Sequence, residues 1–84
     1  MDYLSRAMVN GQINNQLSIY DRGLHFGDGV FETIAVCKQR PLLWEKHIER
    51  LQKGCARLGI AVVNESVLRH EVEIACRDTN KAVL

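Results

Sequence analysis

The residues best suited to chemistry lie along one face of a predicted helix. At helical spacing this face carries His47, Arg50, Gly54 and Arg57. A guanidinium such as that of Arg50 can bind a phosphate through two parallel hydrogen bonds and stays charged at physiological pH. Gly54 costs a helix ~1 kcal/mol relative to alanine, and close approach by a ligand or another segment would explain it. The face is therefore either an anion site centred on Arg50 or a solvated basic surface.

A glycine-rich turn is the second candidate. Three of the six glycines fall between Asp21 and Thr33, just before an apolar, β-branched run. The spacing lacks the third glycine of a dinucleotide fingerprint and no Gly-Lys-Ser/Thr follows, so a phosphate loop is not predicted. His25 lies beside the turn and is either an acid–base group or a half-exposed loop residue. The pattern predicts a turn that leads into a buried strand.

Among three carboxylates near this turn, two could act as a catalytic pair, but each of the three also has a structural interpretation. Asp21 is expected to cap a short helix, and Asp28 to close its own turn through an Asx hydrogen bond. Glu32 alternates with Phe31 and is expected on the opposite side of the strand. No Ser/His/Asp or Cys/His arrangement can be assembled with them.

Composition limits the class of protein. The chain has 84 residues, one domain's worth at most, and a net charge of +1 that argues against a nucleic-acid or membrane surface built on bulk charge. No apolar run approaches the ~20 residues of a membrane span, and no secretory signal is visible. The three cysteines lack metal-site spacing and are expected as free core thiols in a reducing cytosol. We therefore expect a cytoplasmic protein.

Turn signals and β-branched runs predict the strands that must position these residues. Asn10-Gly11 predicts a type I′ hairpin turn after a strand over residues 3–9. A further strand is predicted over 31–37, with its partner over 40–43. Because Pro41 lacks an N–H, that partner is expected at the edge of the sheet.

Two longer helices are predicted to pack on the sheet. One runs from Trp44 to Leu58 and ends at Gly59; the other covers 65–79 and is capped by Asn64. The run Ala82-Val83-Leu84 is expected to begin a strand without a partner, as in an N-terminal piece of a longer protein. The fold class is thus α+β, a small, mainly antiparallel sheet on two helices. The apolar stripe of the first helix comprises Trp44, Ile48, Leu51, Cys55 and Leu58.

Taken together, these segments resemble the N-terminal domain of the fold-type IV pyridoxal-phosphate enzymes. That family includes branched-chain and D-amino-acid aminotransferases and aminodeoxychorismate lyases, and the chain is most similar to the lyases. The segments that carry the resemblance, in the order of the family, are Val9-Asn10-Gly11, Asp21-Arg22-Gly23, Phe26 to Thr33, His47-x-x-Arg50-Leu51, Gly54-Cys55 and Leu58-Gly59-Ile60.

The resemblance implies roles for particular residues. Arg50 matches the arginine that holds the phosphate of the cofactor, pyridoxal 5'-phosphate. Phe26, Gly27 and Phe31 match positions on the substrate side of the cofactor. The lysine that binds the cofactor covalently is expected in a second domain beyond Leu84, so residues 1–84 contain no catalytic residue and are expected to be inactive alone. The lysines that do not match that position are Lys38, Lys46, Lys53 and Lys81.

The resemblance also implies a function for the parent protein. We expect a cytoplasmic, homodimeric lyase of folate synthesis that splits 4-amino-4-deoxychorismate into 4-aminobenzoate and pyruvate. Its partners would be a small-molecule substrate and a second copy, with no nucleic acid or membrane. The alternatives are a branched-chain or D-amino-acid aminotransferase on the same scaffold, or a non-catalytic interaction module.

Overall fold

Short antiparallel strands and three helices make up the computed structural model, which describes residues 7–62 and 64–84. The α+β class and the mainly antiparallel pairing predicted from the sequence are confirmed. The strands are β1 (Met8–Val9), β2 (Gln12–Ile13), β3 (Ala35–Cys37), β4 (Arg40–Pro41) and β5 (Lys81–Val83), and the helices are α1 (Arg22–Phe26), α2 (Trp44–Leu58) and α3 (Glu65–Ala75).

The first hairpin forms at the predicted turn. Asn10 and Gly11 have φ values of 52° and 79°, the left-handed pair that a type I′ turn requires. Strands β1 and β2 pair antiparallel across it, while residues 3–6 of the predicted first strand lie outside the described residues. A Cβ atom at Gly11 would lie 2.7 Å from the Glu71 carboxylate, so this turn sits closely against α3.

A second, three-stranded sheet has the order β4-β3-β5. Its central strand buries Val36, and Ile34 just before the strand is also buried. The edge position of β4 confirms the expectation from Pro41. The strands predicted over 31–37 and 40–43 are longer than those observed, which comprise Ala35–Cys37 and Arg40–Pro41.

The expectation that the last residues form a strand without a partner is wrong. Strand β5 pairs antiparallel with β3, with Ala35 opposite Val83. The pairing continues beyond the strand, where the N–H of Leu84 donates to the carbonyl oxygen of Ile34 at 2.7 Å. This ladder joins segments that are distant in sequence, and no local pattern signals such a pairing.

Helix α2 begins and ends at the residues predicted. Gly59, with φ 70°, closes it in the left-handed conformation that glycine adopts without steric cost. Ile48 and Cys55 of its apolar stripe are buried, whereas Leu58 is 56% exposed and does not join the core as predicted. Helix α3 starts after the predicted cap, Asn64, but ends at Ala75 rather than Thr79.

The core lies between the second sheet and the helices. The cysteines only partly follow the expectation, because Cys55 and Cys76 are buried but Cys37 is exposed. Cys37 alternates with Val36 along β3 and so faces away from the core. Burial raises the pKa of the Cys76 thiol. The buried apolar residues are Ile34, Val36, Ile48, Cys55 and Cys76.

Candidate functional site

Helix α2 packs one face against the segment over residues 29–33. A Cβ atom at Gly54 would lie 2.9 Å from Cγ1 of Val30, closer than real Cβ contacts allow. The close approach expected at Gly54 is therefore made by the Val30 side chain. This packing places Glu32, two residues after Val30, against the preceding turns of the helix.

Glu32, His47 and Arg50 form a hydrogen-bonded group, here called the Glu32 triad. Nδ1 of His47 lies 2.5 Å from Oε1 of Glu32. Nε and Nη2 of Arg50 donate to Oε2 and Oε1 of Glu32 at 2.9 and 2.7 Å. The side chains of Glu32 and His47 are 10% and 14% exposed, whereas that of Arg50 is 71% exposed. The carboxylate is thus enclosed and fixes one edge of an otherwise accessible guanidinium.

The charges of the triad follow from this geometry. Hydrogen bonds from Arg50 and then from His47 lower the pKa of Glu32 to about 2, so the carboxylate is ionised at neutral pH. An ionised carboxylate can only accept hydrogen bonds, and Nδ1 of His47 must therefore carry the hydrogen between them. The Glu32 carboxylate in turn raises the pKa of Arg50.

Arg50 keeps donors for a further anion. Its fork to Glu32 uses two of the five N–H groups of a guanidinium and leaves three. Within the described part of the chain, Glu32 is its sole acceptor. Arg50 is among the residues that line a groove of about 440 Å³. The groove is lined by Gly29, Val30, Phe31, Glu32, Thr33, Arg50, Leu51 and Gly54.

The residues predicted on the substrate side are divided between two places. Phe31 lines the groove with Arg50 and is 85% exposed. Phe26 ends α1, where the guanidinium of Arg22 lies 5.0 Å above its ring. Gly27, with φ 69°, is the left-handed cap of the same helix. The structure therefore brings Phe31 to Arg50, and the substrate role of all three residues stays a prediction.

The other polar candidates make local contacts. His25 lies in α1 rather than in a loop, and its ring hydrogen-bonds to the carbonyl oxygen of Ile19 just before the helix. Asp21 accepts from the N–H of Leu24 and caps α1 as predicted. The Asx turn expected at Asp28 is wrong, because its carboxylate accepts from Nε of Arg22 at 2.6 Å. The carboxylate of Asp28 thus pairs with the side chain of Arg22, six residues earlier, instead of with a nearby backbone N–H.

The sequence predicted that the side chains of Glu32 and Phe31 face opposite sides, but it did not predict that Glu32 pairs with Arg50 or His47. A signal for the pairing was present. His47 and Arg50 are one helical turn apart, and a residue that alternates with an exposed Phe31 must face the helix that packs on this segment.

Within residues 7–62 and 64–84, no group of three histidine, cysteine or acidic side chains is arranged to hold a metal ion. None of the helices in these ranges has the length and apolar character needed to cross a membrane.

Two known proteins are similar to this chain in sequence. The chain is 37% identical over 68 residues to the aminodeoxychorismate lyase of Bacillus subtilis (strain 168), covering 76% of this chain and 22% of that protein. It is 36% identical over 59 residues to the D-alanine aminotransferase of Bacillus licheniformis, covering 66% of this chain and 21% of that protein.

A solved structure is also similar. The crystal structure of 4-amino-4-deoxychorismate lyase from Pseudomonas aeruginosa superposes with a TM-score of 0.79 at 42% identity, covering 88% of this chain and 27% of that one. The chain thus spans between 21% and 27% of the length of these relatives. Residues 29–83 match the family model for amino-transferase class IV. Since this match covers more than half of the chain and includes the Glu32 triad, the chain belongs to the amino-transferase class IV family.

Proposed function

We propose that the protein containing this chain is a pyridoxal-phosphate-dependent lyase that converts 4-amino-4-deoxychorismate into 4-aminobenzoate and pyruvate. The observation that carries the proposal is the 42% identity, over 88% of the chain, to a lyase of that name. The same resemblance supports a cytoplasmic homodimer that acts in folate synthesis.

The exposed donors of Arg50 fit the phosphate of the cofactor. Three N–H groups at the edge of a groove suit phosphate oxygens, which accept charge-assisted hydrogen bonds. Pyridoxal phosphate, when bound, withdraws electrons from the reacting carbon of the amine substrate. In this chain Arg50 would hold the phosphate, Glu32 would fix the direction of the guanidinium, and Phe31 would exclude water from the groove.

The proposed reaction needs no second substrate. 4-Aminobenzoate and pyruvate together contain all the atoms of 4-amino-4-deoxychorismate: a C–O bond breaks, the ring loses a proton and becomes aromatic, and the three-carbon fragment leaves and is protonated. We assign the proton transfers to a lysine of a second domain, following the family resemblance. This chain would contribute binding and orientation.

A class IV aminotransferase is the second candidate. The D-alanine aminotransferase of Bacillus licheniformis matches 66% of the chain at 36% identity, close to the value for the Bacillus lyase. A branched-chain aminotransferase would use the same scaffold. An aminotransferase needs an oxo acid to accept the amino group, whereas the lyase does not, and this requirement separates the candidates.

The test uses the protein expressed from its complete reading frame, loaded with pyridoxal phosphate. With 4-amino-4-deoxychorismate and no oxo acid, we expect equal amounts of 4-aminobenzoate and pyruvate. Amino transfer from D-alanine or a branched-chain amino acid to 2-oxoglutarate, without 4-aminobenzoate, would identify an aminotransferase and overturn the proposal. Absence of both reactions would favour a non-catalytic module.

The 84-residue chain should be assayed in parallel. We expect no turnover above a blank that contains only the cofactor, because none of its lysines stands at the position that the family uses. Turnover by this chain would show that the catalytic lysine has been assigned to the wrong domain.

A further inference from the structure

We propose that His47 is a positioning residue that acts on Arg50 through Glu32 and thereby orients the guanidinium toward the cofactor phosphate. The inference rests on the proposed use of pyridoxal phosphate but not on which reaction follows. His47 itself faces the carboxylate, and its Nδ1 is 2.5 Å from Oε1 of Glu32.

The members of the triad differ in burial. Glu32 and His47 are nearly enclosed, whereas Arg50 is largely exposed. The two enclosed groups are held by packing, and the exposed one is flexible unless something fixes it. The enclosed pair of His47 and Glu32 can therefore fix the direction of the Arg50 guanidinium, which its own surroundings do not fix.

One carboxylate oxygen of Glu32 accepts hydrogen bonds from both of the other side chains. Oε1 of Glu32 accepts from both Nδ1 of His47 and Nη2 of Arg50. Without His47 the carboxylate would keep only its exposed partner and could rotate about its last torsion, which is broad for a glutamate. Rotation would break the two-point fork and turn the three remaining N–H groups away from a fixed direction.

Another ion pair on α2 shows the contrast. Lys53 and Glu49 are one turn apart with Nζ and Oε1 at 2.9 Å, and their side chains are 66% and 65% exposed. Neither partner is enclosed, so this pair has no fixed end. The Glu32 triad differs because its carboxylate is only 10% exposed and has a second donor.

The experiment compares His47→Ala with His47→Asn in the protein from the complete reading frame. The asparagine amide nitrogen lies close to the position of the histidine Nδ1 and restores a donor to Glu32. The control is His70→Ala, on the exposed side of α3. The readouts are the pyridoxal phosphate dissociation constant by equilibrium dialysis, the ¹⁵N-detected Nε–H signal of Arg50, and the melting temperature.

We expect His47→Ala to weaken cofactor binding about tenfold, as loss of a hydrogen bond to a charged group does, and to broaden the Arg50 signal by exchange. His47→Asn should restore most of the affinity and the signal, and His70→Ala should change neither. In a Glu32→Gln background, His47→Ala should cause little further loss of affinity.

Cofactor affinity in His47→Ala equal to the wild type would overturn the proposal. So would an asparagine variant as weak as the alanine variant, since the donor would then not matter. A wild type that binds no pyridoxal phosphate overturns both this inference and the proposed function. A wild type that binds it but releases no 4-aminobenzoate overturns only the lyase assignment, and the variants still decide the role of His47.

Discussion

At the scale of single residues, pairing with Glu32 changes what Arg50 can offer an anion. An arginine next to a carboxylate attracts an anion less strongly through net charge. The pair offers orientation instead, because a two-point fork fixes the plane of the guanidinium and therefore the direction of its free N–H groups. Arg50 is then a directed donor rather than a mobile point charge.

We predict that Arg50→Ala weakens pyridoxal phosphate binding by on the order of ten- to a hundredfold, because a charge-assisted partner of the phosphate is lost. Arg50→Lys should restore only part of this, since an ammonium cannot form the fork. Arg57→Ala is the matched control, because Arg57 is exposed near the end of the same helix. Titration of the cofactor-free protein measures all three; equal affinities for wild type and Arg50→Ala would remove Arg50 from the site.

A second prediction concerns acid stability. The folded protein lowers the pKa of Glu32 from 4.5 to about 2, so its contribution to stability is complete above pH 4.5 and is lost as the pH falls toward 2. Glu32→Gln should therefore make the free energy of unfolding depend less steeply on pH over that interval. Urea unfolding at a series of pH values measures the slope.

Two other carboxylates also have lowered pKa values: Glu49, through Lys53, and Glu65, through Trp44 and Arg69. Glu49→Gln is the control for the acid prediction, because it removes an exposed pair that solvent screens well. It should change the slope less than Glu32→Gln does. Equal slopes for Glu32→Gln and wild type would mean that the triad does not stabilise the folded state.

At the scale of elements, the site depends on how closely α2 approaches the segment over 29–33. Val30 fills the space that a side chain at residue 54 would occupy. Valine is stiff at χ1, so it cannot easily rotate away from an added methyl group. The glycine therefore sets the distance between the helix and Glu32.

We predict that Gly54→Ala fails to stabilise the protein, although alanine gains ~1 kcal/mol of helix propensity. The clash with Val30 should cost about 1–3 kcal/mol, as overpacking does in other cores. In a Val30→Ala background the same substitution should become stabilising by roughly 0.5–1 kcal/mol. Chemical denaturation of the four proteins completes the double-mutant cycle. A stabilising Gly54→Ala in the wild-type background would show that the contact is not tight.

The elements also show what sequence could and could not predict. Helix α2 was predicted to the residue because its apolar stripe and Gly59 are local signals. The hairpin at Asn10-Gly11 was predicted for the same reason. The sequence did not predict that β3 pairs with β5 or that Arg50 pairs with Glu32, because each pairing joins segments far apart in the chain. Arg50 itself was found through the ordered motifs of the family, since helical spacing alone left it undecided.

At the scale of the whole molecule, much apolar surface stays in contact with solvent. Exposed large apolar side chains are concentrated between the first hairpin and the groove. A patch of this kind usually marks a surface that another domain or chain covers. The exposed residues of this stretch are Ile13, Leu17, Ile19, Tyr20, Leu24, Phe26 and Phe31.

We predict that the 84-residue chain self-associates when it is studied alone. The reason is this apolar surface rather than an unpaired last strand, since β5 has a partner in β3. Light scattering over a range of concentrations should show growing particles, and Leu24→Lys with Phe26→Lys should reduce them. A monodisperse monomer with a cooperative melting transition would contradict the prediction.

The pairing of β5 with β3 sets the order of events during synthesis. The ribosome releases β3, β4, α2 and α3 before residues 81–83 emerge, so the central strand first has only β4 beside it. Its other edge, with the N–H and carbonyl groups of Ile34 unpaired, stays open until then. A nascent chain that has emerged only as far as a residue between Ala75 and Lys81 would therefore have both long helices and an unfinished sheet. At this stage a chaperone or a neighbouring chain has most access to the open edge of β3.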